Sequence, residues 1–268
     1  MICFPNAKIN IGLNIVEKRT DGFHNIETVF YPVQLCDVLE IIESSKFEFS
    51  NSGIAVPNDG KENLCVKAYR LLSKEFQLPP VKIHLHKIVP IGAGLGGGSS
   101  DAALTIKALN NLFQLNLSKE KMKDHARQLG SDCAFFIEND PMFAYERGDK
   151  FKPVQLDMND HFIALVTPDI HVSTAEAYAG TAPKKPETSL EKLISLPIGE
   201  WKNNIYNDFE DSVFTKYPAI KTIKEKLYSL GAIYASMSGS GSSVYGVFKE
   251  SKTFESDFPN CKIWKSKL

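Results

Sequence analysis

This 268-residue chain lacks paired cysteines, a charge bias and any long apolar run. Its five cysteines, Cys3, Cys36, Cys65, Cys133 and Cys261, are odd in number and scattered, without a Cys-x-x-Cys pair or Cys/His cluster. That argues against a disulfide framework and a structural zinc site, and predicts a reduced protein. Lys and Arg number 31 against 32 Asp and Glu, a formal net charge of -1. So balanced a chain offers no basic surplus to nucleic acid or to anionic lipid. No segment reaches the length and apolarity of a membrane span, and the opening Met-Ile-Cys-Phe-Pro-Asn-Ala-Lys lacks the apolar core of a signal peptide. The expectation is a cytoplasmic protein with no membrane and no nucleic acid among its partners.

Glycine, by contrast, is concentrated in one place. Residues 90–100 read Pro90-Ile91-Gly92-Ala93-Gly94-Leu95-Gly96-Gly97-Gly98-Ser99-Ser100, with five glycines among the seven positions from Gly92 to Gly98. Beyond them Ala102, Ala103, Ile106, Leu109, Leu112 and Phe113 recur at spacings of three or four, which predicts an amphipathic helix. Glycine permits positive φ and close approach of backbone to a ligand. The unpaired N–H groups and dipole of a helix start favour an anion there. The stretch therefore reads as a nucleotide-phosphate loop. Gly97, at its centre, is where a branched side chain is expected to exclude phosphate while leaving the fold intact.

Three familiar phosphate motifs do not fit. No Gly-Lys-Ser/Thr closes the loop, so it is not a Walker A sequence. It contains G-x-G-x-x-G at Gly92, Gly94 and Gly97, but a dinucleotide fold needs a following strand opened by an acidic residue about 20 positions on. Here a second helical segment follows, capped by Ser118 and running to Leu129 before Gly130. The His-Arg-Asp and Asp-Phe-Gly triplets of protein kinases are also absent.

The remaining pattern mixes α and β. Residues 7–15 alternate strictly, Ala7, Ile9, Ile11, Leu13 and Ile15 against Lys8, Asn10, Gly12 and Asn14. Further strands are predicted over Glu27–Val33, Val38–Ile42, Val81–Val89 and Ile163–Val166. Helices are predicted over Asn63–Phe76 and from Pro218 to Leu230, stopped by Gly231. Thr181–Glu187, with two prolines and two lysines, reads as an exposed loop. A domain boundary is placed near residue 150.

Three more segments carry chemistry. Lys8 and Asn10 lie two residues apart on the first strand. Asp132 stands in Gly130-Ser131-Asp132-Cys133-Ala134-Phe135-Phe136, at the mouth of an apolar run where its surroundings can tune it. Ser236-Met237-Ser238-Gly239-Ser240-Gly241-Ser242-Ser243 connects two apolar segments, as in a hairpin. An amino-terminal strand, a central Pro-x-Gly-x-Gly-Leu-Gly loop and a Gly-rich carboxy-terminal loop, in this order, resemble the GHMP small-molecule kinases. Within that family, Pro5-Asn6-Ala7-Lys8-Ile9-Asn10-Ile11 and Arg19-Thr20-Asp21-Gly22-Phe23-His24 are similar to the members that act on a cytidine diphosphate conjugate of methylerythritol. Phe23 stands where many such relatives carry Tyr, which keeps a ring and removes a hydroxyl.

The resemblance implies an α+β, two-domain GHMP kinase fold. A ribosomal-protein-S5-like, ATP-binding domain would span residues 1–150 and a ferredoxin-like domain residues 151–268. It implies phosphorylation of the 2-hydroxyl of the conjugate in isoprenoid precursor synthesis without mevalonate, with ATP and magnesium. Lys8 and Asp132 match the catalytic pair, and Pro90–Ser100 the ATP phosphate loop. Asn10, Phe23, His24, Phe30, Thr174 and Tyr178 match positions around the acceptor. Independently, a nucleotide acceptor needs aromatic rings to stack on and hydrogen bonds to its base edge, which Phe23, Phe30, Tyr178 and His24 can supply. No dedicated protein cage for a metal is visible. The expected partner is this small molecule, the expected assembly a monomer or homodimer. Two alternatives remain: a GHMP kinase acting on a small alcohol such as homoserine or mevalonate, and a binding protein that keeps the fold without turnover.

Overall fold

The computed structural model describes residues 1–56, 60, 62–254 and 256–268. In chain order the elements begin β1 (Ile2–Cys3), β2 (Asn6–Lys18), β3 (His24–Cys36), β4 (Val38–Glu43), β5 (Glu48–Gly53) and α1 (Leu64–Phe76). Next come β6 (Val81–Lys87), α2 (Gly97–Leu112), α3 (Lys119–Leu129), α4 (Phe135–Glu138), β7 (Met142–Tyr145), β8 (Lys150–Pro153) and β9 (Phe162–Pro168). Then follow α5 (Thr174–Ala179), α6 (Leu190–Leu193), α7 (Ile198–Asn204), α8 (Phe209–Lys216) and α9 (Pro218–Ser229). The last strands are β10 (Tyr234–Met237), β11 (Val244–Phe248) and β12 (Cys261–Lys267). Two compact units interleave along the chain. One comprises Met1–Lys8, Gln34–Ile91 and Gly96–Asp140, the other Ile9–Val33, Gly92–Leu95 and Pro141–Leu268.

The first unit is a sheet in the order β1-β4-β6-β5 with α1 and α2 packed together. β4 and β6 run antiparallel, Ile41 opposite Ile83, while β5 is parallel to β6. Alternation along β6 buries Val81, Ile83, Leu85 and Lys87 and exposes Lys82 and His86. Helix α1 starts where the Asn63 side chain accepts from the Cys65 N–H at 2.8 Å, and ends at Gln77 in the left-handed region. Its buried stripe is Cys65, Ala68, Tyr69 and Leu72. Truncating Leu72 to Ala would cost about 2–5 kcal/mol by cavity formation. Helix α3 is capped by Ser118, as its sequence predicts.

The second unit holds the sheet β10-β11-β9-β12 and most of the sheet β2-β3-β7-β8. In the former, β9 is central and antiparallel to both neighbours, with Leu165 opposite Tyr245 on one side and Trp264 on the other. Helix α9 begins with Pro218 at its first turn and sends Ile220, Ile223 and Leu227 into the core. That core also contains Val166, Phe209, Met237, Val244 and Phe248. The segment around residues 181–187 is loop, as predicted. Along β2 the burial is more complete than strand alternation suggests, because Lys8 and Asn10 are buried as well as the apolar set.

Candidate active site

In the first unit, β2 delivers Lys8 and the turn after α3 delivers Asp132. Lys8 Nζ lies 3.5 Å from Asp132 Oδ2, with side-chain exposures of 4% and 29%. Burial pushes the ammonium below the usual lysine range, and the Asp132 carboxylate opposes that shift. The carboxylate also accepts from Ser131 Oγ at 3.2 Å. Gly96 joins this pair to the phosphate-loop helix. It caps α2 with φ of 69°, where a Cβ would meet Lys8 Cε and Cγ at 3.1 Å and Phe136 Cζ at 3.0 Å. No side chain caps α2, so its first-turn N–H groups suit an anion. The Ser99 hydroxyl, in that first turn, partners the Cys133 thiol beside Asp132. Burial pushes this thiol up to about 12, which makes it unreactive.

The expectation for Gly97 needs correction. Gly97 is buried, and a Cβ on it would lie 2.9 Å from both Lys87 Nζ and Val89 Cγ1. A branched residue there would disturb packing beneath the loop, so loss of ATP binding would not isolate a phosphate contact. Gly98 is exposed, and its added Cβ would meet only Leu64 Cδ1, at 3.7 Å.

In the second unit, residues 92–95 lie against the Gly/Ser hairpin loop between β10 and β11. Gly94 has φ of 79°, and a Cβ there would fall 1.9 Å from Ser238 O. Ser238 Oγ donates to Gly94 O at 2.8 Å, and Ser243 N–H donates to Ala93 O at 3.2 Å. Asn10 is tied to the same loop: its N–H donates to Ser238 Oγ at 3.1 Å and its Nδ2 to Thr28 Oγ1 at 2.9 Å. Tyr245 donates to Asn10 O at 2.8 Å. Asn10 is only 2% exposed, so its observed hydrogen bonds hold the loop.

The acceptor candidates divide. His24 and Tyr178 stack with ring centroids 4.6 Å apart and planes at 15°, and Phe209 meets Tyr178 edge-on at 4.9 Å. Burial and the Lys18 charge hold the His24 imidazole below its usual range, favouring the neutral ring. Phe23 is 56% exposed with the Arg147 guanidinium 5.3 Å from its ring centroid. Its turn is set by Asp21, which accepts from Phe23 N–H at 3.1 Å and from Arg19. Thr174 opens α5 and reaches Ser240 Oγ at 3.4 Å. Phe30 does not fit the stacking role. At 2% exposure its ring is part of the interior, 6.2 Å from that of Phe151, because β3 turns this position inward.

Two family patterns match the chain: GHMP kinases N terminal domain over residues 63–139, and GHMP kinases C terminal over residues 189–256. The chain belongs to the GHMP kinases. Among curated relatives, the 4-diphosphocytidyl-2-C-methyl-D-erythritol kinase of Bacteroides thetaiotaomicron is 54% identical over 274 residues, covering all of both chains. The protein of that name from Parabacteroides distasonis is 49% identical over 270 residues, again end to end. A crystal structure of 4-(cytidine 5'-diphospho)-2C-methyl-D-erythritol kinase superposes with a TM-score of 0.79 at 32% identity, covering 92% of this chain and 89% of that one. Mevalonate kinase from Methanococcus jannaschii shares the fold at TM-score 0.73 and 16% identity, covering 99% and 97% of the two chains. The architecture is thus the two-domain, mixed α and β GHMP kinase fold.

One residue that holds the Gly/Ser loop escaped the sequence reading. Asn207, 2% exposed, donates from Nδ2 to Met237 O and Gly239 O, both at 2.8 Å, and so holds the Gly/Ser loop. No local motif surrounds it; only its position just before α8 hints at a helix cap, and its Oδ1 does accept from Phe209 N–H. Among the described residues no group of three His, Cys, Asp or Glu could hold a metal. Magnesium carried on nucleotide phosphates needs only one or two protein oxygens. The partly exposed Asp132 carboxylate and the neighbouring Ser99 hydroxyl fit that demand.

Proposed function

We propose that this chain transfers the γ-phosphoryl group of ATP to the 2-hydroxyl of 4-diphosphocytidyl-2-C-methyl-D-erythritol, in isoprenoid precursor synthesis without mevalonate. The observation that carries this reading is the end-to-end identity, at about half of all positions, with curated kinases of that name. The residues supply a consistent chemistry. Phosphoryl transfer asks the protein for positioning and for charge compensation more than for covalent steps. Asp132 accepts the proton of the attacking hydroxyl, and the Lys8 ammonium beside it compensates charge on the transferring group. Pro90–Ser100 seat the phosphates, with the uncapped start of α2 as the donor set.

Magnesium, arriving with ATP, would be held by Asp132 and Ser99 and would neutralise phosphate charge. Tyr178 and His24 recognise the cytosine by stacking and by its polar edge, Phe23 adds an exposed ring, and the exposed Thr174 lines the acceptor side, while Asn10 acts from beneath by holding the Gly/Ser loop. The division into an ATP-binding domain, 1–150, and a ferredoxin-like domain, 151–268, belongs to the same proposal, as do a cytoplasmic location and a monomeric or homodimeric state. Among the described residues no helix is long and apolar enough to cross a membrane.

A coupled ADP-release assay tests the function. Turnover should be confined to the cytidine diphosphate conjugate, since one stacked base is worth about 1–3 kcal/mol and unmatched polar groups add to the discrimination. Equal kcat/KM for homoserine, mevalonate or uncoupled methylerythritol phosphate would overturn it.

A further inference from the structure

Beneath the start of α2 lies a buried ionic cluster that the chemistry above does not use. Lys87, at the end of β6, bonds through Nζ to Asp37 Oδ2 and, at 2.8 Å, to Asp101 Oδ2. Asp37 is 0% exposed, Asp101 3% and Lys87 4%. Asp37 comes from the junction of β3 and β4, and its second oxygen accepts the N–H groups of Ile88 at 2.5 Å and Val89 at 2.8 Å. Those residues lead directly into Pro90. Asp101 lies on α2, just past Ser99 and Ser100 at the other end of the loop. Lys87 Nζ itself would sit 2.9 Å from a Cβ on Gly97. One ammonium and two carboxylates therefore grip both flanks of residues 90–100.

A buried ionic cluster is a poor source of stability, since removing three charges from water offsets most of their attraction. Apolar residues of similar volume would fill the space at less cost. The Asp101 Oδ1 atom and the neighbouring Ser100 Oγ are buried with no hydrogen-bond partner among the described residues. An incompletely satisfied cluster at this place is better explained by what it holds than by what it stabilises.

We propose that Asp37, Lys87 and Asp101 are positioning residues for the ATP phosphates, acting by holding the two flanks of the phosphate loop in one conformation through the Lys87 clamp. This rests on the reading that residues 90–100 seat the phosphates. Burial and the Asp37 charge push the Asp101 carboxyl up to about 7, and the Lys87 ammonium opposes that shift.

The experiment is steady-state kinetics of Asp101→Asn, Lys87→Met and Gly98→Val at one pH, with ATP and acceptor varied separately. Asp101→Asn keeps the shape and one hydrogen bond to Lys87, so it should fold, with KM for ATP raised about tenfold, or about 1.4 kcal/mol. KM for the acceptor should stay within twofold. Raised KM for ATP in Gly98→Val confirms the phosphate seat itself. If Gly98→Val leaves that KM unchanged, the seat is misplaced and the proposal falls with it. If Gly98→Val raises it while folded Asp101→Asn retains the parent KM for ATP, the proposal alone is overturned. Should Lys87→Met fail to fold, Lys87→Arg must restore the parent KM at least in part; no rescue in a folded Arg variant counts against the clamp.

Discussion

Gly94→Ala offers a demanding test of how the loop is held. The added Cβ would lie 1.9 Å from Ser238 O, with Gly241 O also at 3.3 Å. Reaching an ordinary carbon-to-oxygen contact of about 3.3 Å requires about 1.4 Å of movement. Ser238 cannot yield cheaply. Its N–H donates to Ser243 O at 2.9 Å, its hydroxyl accepts from Asn10 N–H, and Asn207 holds the carbonyls of Met237 and Gly239 on either side. A φ of 79° adds a left-handed penalty of about 1–2 kcal/mol for any residue with a Cβ. Overpacking of about 1–3 kcal/mol brings the total to about 2–5 kcal/mol.

In a protein of this size such a loss lowers the melting temperature by roughly 2–4 °C per kcal/mol, so a drop of roughly 7–14 °C is expected for the middle of that range. Gly98→Ala is the internal control, because its Cβ meets only Leu64 Cδ1 at 3.7 Å in an exposed first helical turn. It should be neutral or gain about 0.4–1 kcal/mol by restricting the unfolded chain. Differential scanning calorimetry on both variants, with ATP saturation measured in parallel, decides the matter. A Gly94→Ala protein that melts with the parent and keeps its ATP affinity would refute the close packing of residues 92–95 on the Gly/Ser loop.

Asp132→Asn should lower kcat by about 10²–10⁴-fold with little change in either KM, because it keeps shape and removes basicity; near-normal kcat in single-turnover assays excludes an essential base. Lys8→Met should also lower kcat, and the double variant should be little worse than the worse single one if the two act together. Burial lowers the Lys8 pKa, so the ammonium is lost as pH rises through a value below the ordinary lysine range. The parent kcat should decline along that alkaline limb, and a folded Lys8→Arg enzyme that retains the limb would assign it to another group. Tyr178→Ala should raise KM for the cytidine conjugate about 5–150-fold, the equivalent of about 1–3 kcal/mol of stacking, while leaving KM for ATP unchanged; isothermal titration with cytidine diphosphate provides the direct readout.

The local parts of this protein could be read from its chain because their causes are local. Alternation over residues 7–15 belongs to β2, Asn63 and Ser118 cap α1 and α3, and Pro218 opens α9. Caps, periodicity and fixed φ act within one helical turn or one strand pair, so a few neighbouring residues suffice to specify them. The glycine-rich loop, Lys8 and Asp132 stood out through residue type and order, which chemistry constrains strongly. Lys8 and Asp132 do meet, at 3.5 Å.

Tertiary packing decided what neighbouring residues cannot encode. Gly94, Gly97 and Gly98 look alike in sequence, yet one faces a carbonyl, one an ammonium and one only the Leu64 side chain at ordinary contact distance, and only the opposing surface sets what each tolerates. Phe30 carries the same ring as Phe23, but one is 2% exposed and the other 56%, because β3 turns the former inward while a turn presents the latter. The stacking of His24 on Tyr178, the Asn207 bridge to the Gly/Ser loop and the Lys87 clamp each join segments far apart along the chain. Burial in a low-dielectric interior turns Asp101 from an ordinary carboxylate into a group that titrates near neutrality, and no local pattern of residues carries that information.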